Sequence, residues 1–444
     1  MPSNVALTGI ARDLAKRADS GTPIRVGLVG SGEMGTDIVT RSVMMDGLDV
    51  SAISDISPAA AHKAVEIAHG DSGRSIDVAS GELVNAAIES GKTAVAEDFS
   101  HLLESDLIDV VIDATGIPEA GAEIALRAIR HGKHVVMMNV EADVTIGTYL
   151  KGEAERHGVI YSLGAGDEPT SCMELIEFVS AMGHKIVCAG KGKNNPLNFD
   201  ATPDSCFEEA KARNMNPRLL VEFIDGSKTM VEMTAVANAT GLVPDIDGMH
   251  GPAAGLDEIA SVLIPERDGG VLSDIGRVDY TVGRGVAPGV FVVAEAEHPR
   301  VAERLTDLKL GDGPYYAFVR PFHLTSLEVP LTCARAVLYG DSDMAPLDNP
   351  AAEVCALAKK NLQAGDRLDR LGEYAYRGWA MKVEAAFKAK AIPAGLLAGG
   401  RVTRPIGQGE LITTSNAEPA SGSRIVELRR RQDRAVFGKS HFDG

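Results

Sequence analysis

Three glycines at the end of one short apolar run constrain this chain more than any other feature. IRVGLVG (Ile24 to Gly30) is rich in β-branched residues and stops at a glycine, the composition of a strand buried on both faces. The helical segment MGTDIVTRSVMM follows directly. At the junction Gly30, Gly32 and Gly35 spell G-x-G-x-x-G, with Glu33 and Met34 between the last two. In that setting Gly30 permits a tight turn, Gly32 lets a pyrophosphate approach bare backbone, and Gly35 allows helix and strand to pack closely. The N–H groups at the helix start add partial positive charge. Glycine is common here, 47 residues in all, so the spacing is weak by itself. The strand before it and the helix after it make it a dinucleotide cradle.

The rest of the first third keeps the same alternation. DVSAISD, DVVIDATG, KHVVMMN and VIYSLGAG read as strands, separated by SPAAAHKAVEIAHG, PEAGAEIALRAIRHG and TYLKGEAERHG as helices. The more polar stretch from Asp71 to Thr93 reads as an insertion. Strand and helix taking turns predicts a doubly wound parallel sheet, a Rossmann domain over 1–170. From 171 to 348 the regularity breaks into RLLVEFIDG, KTMVEMTAVAN, GRVDYTVGRG, GVFVVAEAE and YYAFVRPFHL. These runs predict an α+β substrate and dimerisation domain. From 349 to 444, short runs between Gly and Pro turns (KKNLQAGDRL, KAKAIPAG, GGRVTRPIGQGELIT) predict a small β-rich unit, ending in the helix RIVELRRRQDRAVFG. The N-terminal MPSNVALTGIARDLAKRADSG reads as a surface helix.

Asp55 closes the second strand, twenty residues after Gly35. A carboxylate there accepts the adenine ribose 2′-hydroxyl and favours NAD over NADP. Capping the next helix is the bland alternative, but Ser57 is better placed for that. Ala114, Thr115 and Gly116 end DVVIDATG, where small residues let a nicotinamide ribose lie close, and Asn139 takes the matching place after KHVVMMN.

The formal net charge is −18, which argues against a general affinity for nucleic acid or an anionic membrane surface. An anionic substrate then needs its own cations. Lys191 and Lys193 share a face at the end of KIVCAGKG, with Asn195 just beyond, and form the best candidate anion grip. Asp167 and Glu168 lie at the ligand-binding edge after VIYSLGAG and suit a divalent metal or proton transfer. Glu232 is a lone carboxylate in the apolar run TMVEMTAV, read as a strand, and must be paired, protonated or functional. Asp200 and Asp204 are weaker metal candidates, and His323 beside Arg320 is a candidate proton donor. Five scattered cysteines without a C-x-x-C pair suit reduced structural thiols and a cytoplasmic setting.

Together GSGEMG, DATG, VVMMN, KGKNNPLNFDATPD and RPFHLTSLEVP resemble the 1-deoxy-D-xylulose 5-phosphate reductoisomerase-like family, across essentially the whole chain. AIPAGLLAGGRVTRPIGQGELITTSN is similar to a SAF domain. The resemblance implies an NADPH-dependent reductoisomerase that makes 2-C-methyl-D-erythritol 4-phosphate for isoprenoid synthesis. Its substrate would be a small phosphorylated sugar. It further implies Lys191 and Lys193 on the phosphate, and Asp167, Glu168 and Glu232 around Mg or Mn. Homoserine dehydrogenases carry a lysine where Val140 stands here, which counts against homoserine as substrate. Asp55 leans to NAD while the resemblance leans to NADPH. A sugar-acid oxidoisomerase or dehydrogenase on the same scaffold is the alternative, a non-catalytic dinucleotide sensor a third reading, and a homodimer the expected assembly.

Overall fold

A computed structural model describes residues 6–440 and 442. The chain forms two compact units. The first holds the described chain to Asp143, with Gly147–Thr170 and Leu324–Ala345; the second holds Val144–Ile146, Ser171–His323 and everything from Pro346 onward.

In the first unit seven strands, β1 (Ile24–Val29), β2 (Leu48–Ser54), β3 (Ser75–Asp77), β4 (Thr93–Ala96), β5 (Val110–Asp113), β6 (His134–Met137) and β7 (Tyr161–Leu163), form one sheet. Their order is β3-β4-β2-β1-β5-β6-β7, and every pair is parallel. This is the doubly wound Rossmann arrangement. Helices on both faces bury β1, β2 and β5 almost completely, which is why those strands read as unbroken apolar runs. Val329, Cys333 and Ala334 of the helix Val329–Tyr339 join the same core as Val26, Leu28 and Ile112. The stretch from Asp71 to Thr93 is no insertion. It supplies β3 and the helix Gly81–Glu89, capped by Ser80, and leads into β4. Its polarity comes from β3 being an edge strand with exposed side chains. A helix covers Gly9–Asp19 as expected, while residues 1–5 of that segment lie outside the described chain.

The second unit is built on a mixed sheet, ordered β12-β11-β8-β10-β9. Its strands are β8 (Lys185–Lys193), β9 (Val243–Pro244), β10 (Arg277–Val282), β11 (Val290–Glu295) and β12 (Tyr315–Arg320). β10 runs parallel to β8 and β9, and β11 runs antiparallel to β8 and β12. Its core gathers Val187, Leu263, Leu272, Phe291 and Val293. Towards the C-terminus β13 (Ala352–Ala358) and β14 (Tyr376–Lys382) pair antiparallel, as do β15 (Arg401–Val402) and β16 (Ala417–Glu418). The helix Arg424–Phe437 follows as expected.

Two expected strands are helices. RLLVEFIDG forms the helix Pro217–Ile224, started by Pro217 at its first position, with the Asn216 side chain accepting the Arg218 N–H. The run holding Glu232 forms the helix Ser227–Thr240. KAKAIPAG, also expected as a strand, begins in the last two residues of the helix Val383–Ala389 and runs on into the short turn Ala394–Leu396. Ser227–Thr240 hides its periodicity because almost every residue on it is buried, so no polar stripe marks a helical face. Among the described residues no helix is long and apolar enough to cross a membrane.

Candidate active site

The glycine turn sits where the sheet order reverses, at the carboxyl ends of β1 and β5. In open α/β sheets that crevice receives the ligand. Gly30 has φ +97°, and a Cβ there would lie 2.8 Å from the Ala114 carbonyl oxygen. A Cβ on Gly35 would lie 2.2 Å from the Gly30 carbonyl oxygen. A Cβ on Gly32 would meet nothing within 4 Å, so open space lies above that residue. The helix Glu33–Ser42 begins here without a side-chain cap. Its first turn closes with the Thr36 N–H on the Gly32 carbonyl at 2.9 Å, which leaves the N–H groups of Glu33, Met34 and Gly35 without intrahelical acceptors. Tight glycines below, open space above and uncapped amides at a helix start fit a pyrophosphate.

Asp55 follows β2 and faces the same turn. Its Oδ2 accepts the Ser31 backbone N–H and hydroxyl, both at 2.7 Å, and its Oδ1 accepts the Ser57 N–H at 2.9 Å. Ser57 makes no side-chain cap, so the local turn is Asp55's doing. Asp55 therefore ties the first glycine turn to the second strand and still presents a carboxylate beside it.

Thr115 is held by Asp113. Its N–H and hydroxyl both reach Asp113 Oδ1, at 2.9 and 2.6 Å. Asn139 is fully buried; its amide donates to Asp113 Oδ2 at 3.1 Å and to the Ile117 carbonyl at 2.9 Å, and its oxygen caps the Ala142 N–H. The Asn139 side chain thus holds Ala114, Thr115 and Gly116 in place from beneath. Burial raises the Asp113 carboxyl, against the hydrogen bonds from Thr115 and Asn139. Asp167 and Glu168 close the turn after β7, Glu168 opening the helix Glu168–Ala181.

In the second unit, Lys191 and Lys193 are both buried rather than displayed. The Lys191 ammonium pairs with the Glu232 carboxylate, whose side chain is 0% exposed. The Lys193 ammonium donates to the Phe223 carbonyl and, at 3.3 Å, to Asn195 Oδ1. Glu232, expected to be paired, protonated or functional, is paired with Lys191. The remaining candidates are dispersed. Arg320 donates to Ser171 Oγ and Glu174, and half-buried His323 follows β12. Asp200 accepts from Gln408 and Asp204 from Tyr374, so both tie down the loop after Lys193. All five cysteines are buried, and burial pushes the Cys172 thiol up to about 12, which suits inert structural thiols.

Sequence reasoning missed two buried groups. Tyr280, on β10, pairs in register with Lys191 on β8; burial pushes its hydroxyl up to about 12, with Asp279 adding to the shift and Arg377 opposing it. Arg377 lies on β14, in YRGWAMK, where a charge among apolar residues was the available signal.

Two family models match the chain. "Oxidoreductase DRL, catalytic domain" covers residues 166–329, and "Homoserine dehydrogenase, NAD binding domain" covers residues 63–164. No curated protein matches. Among solved structures, a probable dehydrogenase from Thermotoga maritima is 15% identical over 72% of this chain and 90% of its own, with a TM-score of 0.40. Scyllo-inositol dehydrogenase from Lactobacillus casei, solved with NAD(H) and scyllo-inositol, is 16% identical over 61% of this chain and 73% of its own, with a TM-score of 0.35. A 3-ketoreductase from Actinomadura kijaniata in complex with NADP is 14% identical over 72% and 91%, with a TM-score of 0.37. At such TM-scores no residue role is carried across.

The chain is an NAD(P)-dependent oxidoreductase. The expected 1-deoxy-D-xylulose 5-phosphate reductoisomerase is corrected: residues 166–329 match an oxidoreductase DRL catalytic domain. Lys191 and Lys193, expected to hold a phosphate, are buried with Glu232 and the Phe223 carbonyl as partners.

Proposed function

We propose that this protein is a dehydrogenase, or in reverse a reductase, of a small polyhydroxylated substrate of the sugar or sugar-acid class. The observation that carries the reading is the buried Lys191–Glu232 pair, inside the stretch that matches an oxidoreductase catalytic domain. Nicotinamide, when bound, supplies or takes the hydride. The residues must then manage a proton at the reacting oxygen. In the reducing direction the Lys191 ammonium gives its proton to that oxygen as the carbonyl becomes an alcohol. Glu232, left beside a neutral amine, draws the next proton in. In the oxidising direction the same proton returns to Lys191.

NAD is the proposed cofactor form. Asp55 puts a carboxylate beside the glycine turn, and a 2′-phosphate there would meet like charge. The lean towards NADPH rested on the reductoisomerase resemblance and falls with it.

The test is turnover of a panel of polyols and aldonates with NAD, followed at 340 nm, in wild type and two variants. Lys191→Met is expected to lower kcat by about 10²- to 10⁴-fold, the range for a lost proton donor. Glu232→Gln keeps the lysine but removes its counter-charge, so the alkaline limb of the reduction profile moves to lower pH. Breaking a buried pair also destabilises, so melting curves establish that each variant is folded at assay temperature. A folded Lys191→Met enzyme with unchanged kcat would sink the reading.

A further inference from the structure

Among the described residues, Arg377 is a buried cation without a counter-ion. Its residue is 9% exposed, on the β14 face beside Trp379. The guanidinium carbon lies 3.9 Å from the centroid of the Phe199 ring and 4.6 Å from that of Trp379. Among the described residues it has no hydrogen-bond or ion-pair partner, and its Nη1 is fully buried. The two acids whose charge acts on it are engaged elsewhere: Asp225 pairs with Lys359 at 2.6 Å, and exposed Asp200 accepts from Gln408 at 3.0 Å. Burial pushes the guanidinium below its ordinary value, but arginine keeps its proton in proteins. A side chain that cannot shed its charge must find an anion or bear the cost of burial alone.

The two rings stand edge to face, 83° apart, and the guanidinium lies against both of them. Aromatic rings grip a guanidinium by its faces, while its N–H donors point outward in the plane. That in-plane fork matches two oxygens of a carboxylate or phosphate. Tyr280 pairs in register with Lys191 on the neighbouring parallel strand, where paired side chains share a face, and the Arg377 charge opposes the upward shift of its hydroxyl. Phe199 sits on the loop that begins just after Lys193. Lys191 is paired with Glu232 and Lys193 with the Phe223 carbonyl, whereas Arg377 has no acidic partner among the described residues.

We infer that Arg377 is the oxyanion-binding residue of the substrate site, so that the enzyme takes an anionic sugar derivative, a sugar acid or a sugar phosphate. This rests on the dehydrogenase reading above and names its substrate class. The ligand's oxyanion accepts from the guanidinium N–H groups, while contact with Phe199 and Trp379 holds the group in place.

The NAD-bound full chain tests this in two ways. The first is melting in buffers free of oxyanions, then with inorganic phosphate or malonate. Wild type is expected to gain about 2–4 °C with at least one of them, and Arg377→Met to gain nothing. Without anion, Arg377→Met is expected to melt at or above wild type, because it removes an uncompensated buried charge. Arg377→Lys should restore part of the anion response, since it keeps the charge without the fork. An Arg377→Met protein that melts lower without anion yet responds to both anions as wild type does would make Arg377 a structural post and overturn the inference. So would a wild type indifferent to both. The second is the ratio of kcat/KM for an aldonate, or for a sugar phosphate, to that for the matching neutral polyol. Wild type should favour one anionic form at least tenfold through KM, which identifies the oxyanion, and Arg377→Met should lose that ratio. Absence of turnover with every substrate would strike the dehydrogenase reading, while the melting experiment would still decide Arg377.

Discussion

The first unit offers its ligand main chain; the second offers side-chain charge. Gly30 to Gly35 are six consecutive residues, and what they present is amides, a carbonyl-lined turn and empty space above Gly32. Lys191, Glu232, Tyr280 and Arg377 come from β8, the helix Ser227–Thr240, β10 and β14, and what they present is a compensated ion pair and an uncompensated cation. A surface made of backbone is specified by short spacing and depends on what is left out at each position. A surface made of side chains is specified only once distant elements have packed, and depends on which charges cancel.

That contrast can be broken at the cradle first. Gly35→Ala forces a methyl to 2.2 Å from the Gly30 carbonyl oxygen, so the turn itself must move. NAD affinity should fall by about 100-fold or more, with a stability loss of about 1–3 kcal/mol from the overpacking. Gly32→Ala meets no protein atom within 4 Å. It should leave the melting temperature nearly unchanged and weaken NAD about tenfold, because the methyl occupies only the space a phosphate would use. Calorimetry with NAD beside melting curves separates the two. Equal stability losses would show that Gly32 serves packing, and that the cradle is not the ligand surface described.

A smaller effect is expected where the cradle does use a side chain. Asp55→Asn keeps an acceptor for Ser31 but removes the negative charge. The kcat/KM preference for NAD over NADP should shrink by about tenfold, about 1.4 kcal/mol of lost discrimination. An unchanged ratio would mean that Asp55 only ties the turn together.

The same contrast explains what was legible in the sequence. The parallel sheet and its glycine turn were readable because alternation and glycine spacing are local. The helix Ser227–Thr240 was misread because burial on all sides erased its polar face, and with it went the correct setting of Glu232. Lys191 and Lys193 looked like a displayed anion grip because their partners, Glu232 and the Phe223 carbonyl, are set by tertiary packing. Asn139 was placed correctly in sequence, but its side chain supports the DATG turn from below, through Asp113 and the Ile117 carbonyl. Arg377 could be seen as a charge in an apolar strand, but its lack of a partner is a property of the folded unit.

The sharpest comparison concerns how each unit carries a buried ionisable group. Asp143, in the first, is fully enclosed and accepts the Tyr161 hydroxyl at 2.8 Å; burial, opposed by that hydrogen bond, raises its carboxyl to about 7. It meets burial by keeping its proton, which Arg377 cannot meet by losing one. An unfolded aspartate titrates near 3.9, so the folded state binds the proton more tightly, and stability falls as pH rises from about 4 through about 7. Between pH 6 and 8 that loss is about 1 kcal/mol from this group. Asp143→Asn keeps the acceptor for Tyr161 and cannot titrate, so its melting temperature should gain on wild type steadily from pH 6 to pH 8. A gap that stays constant over that range would show Asp143 to be charged throughout, and the first unit would then bury charge no differently from the second.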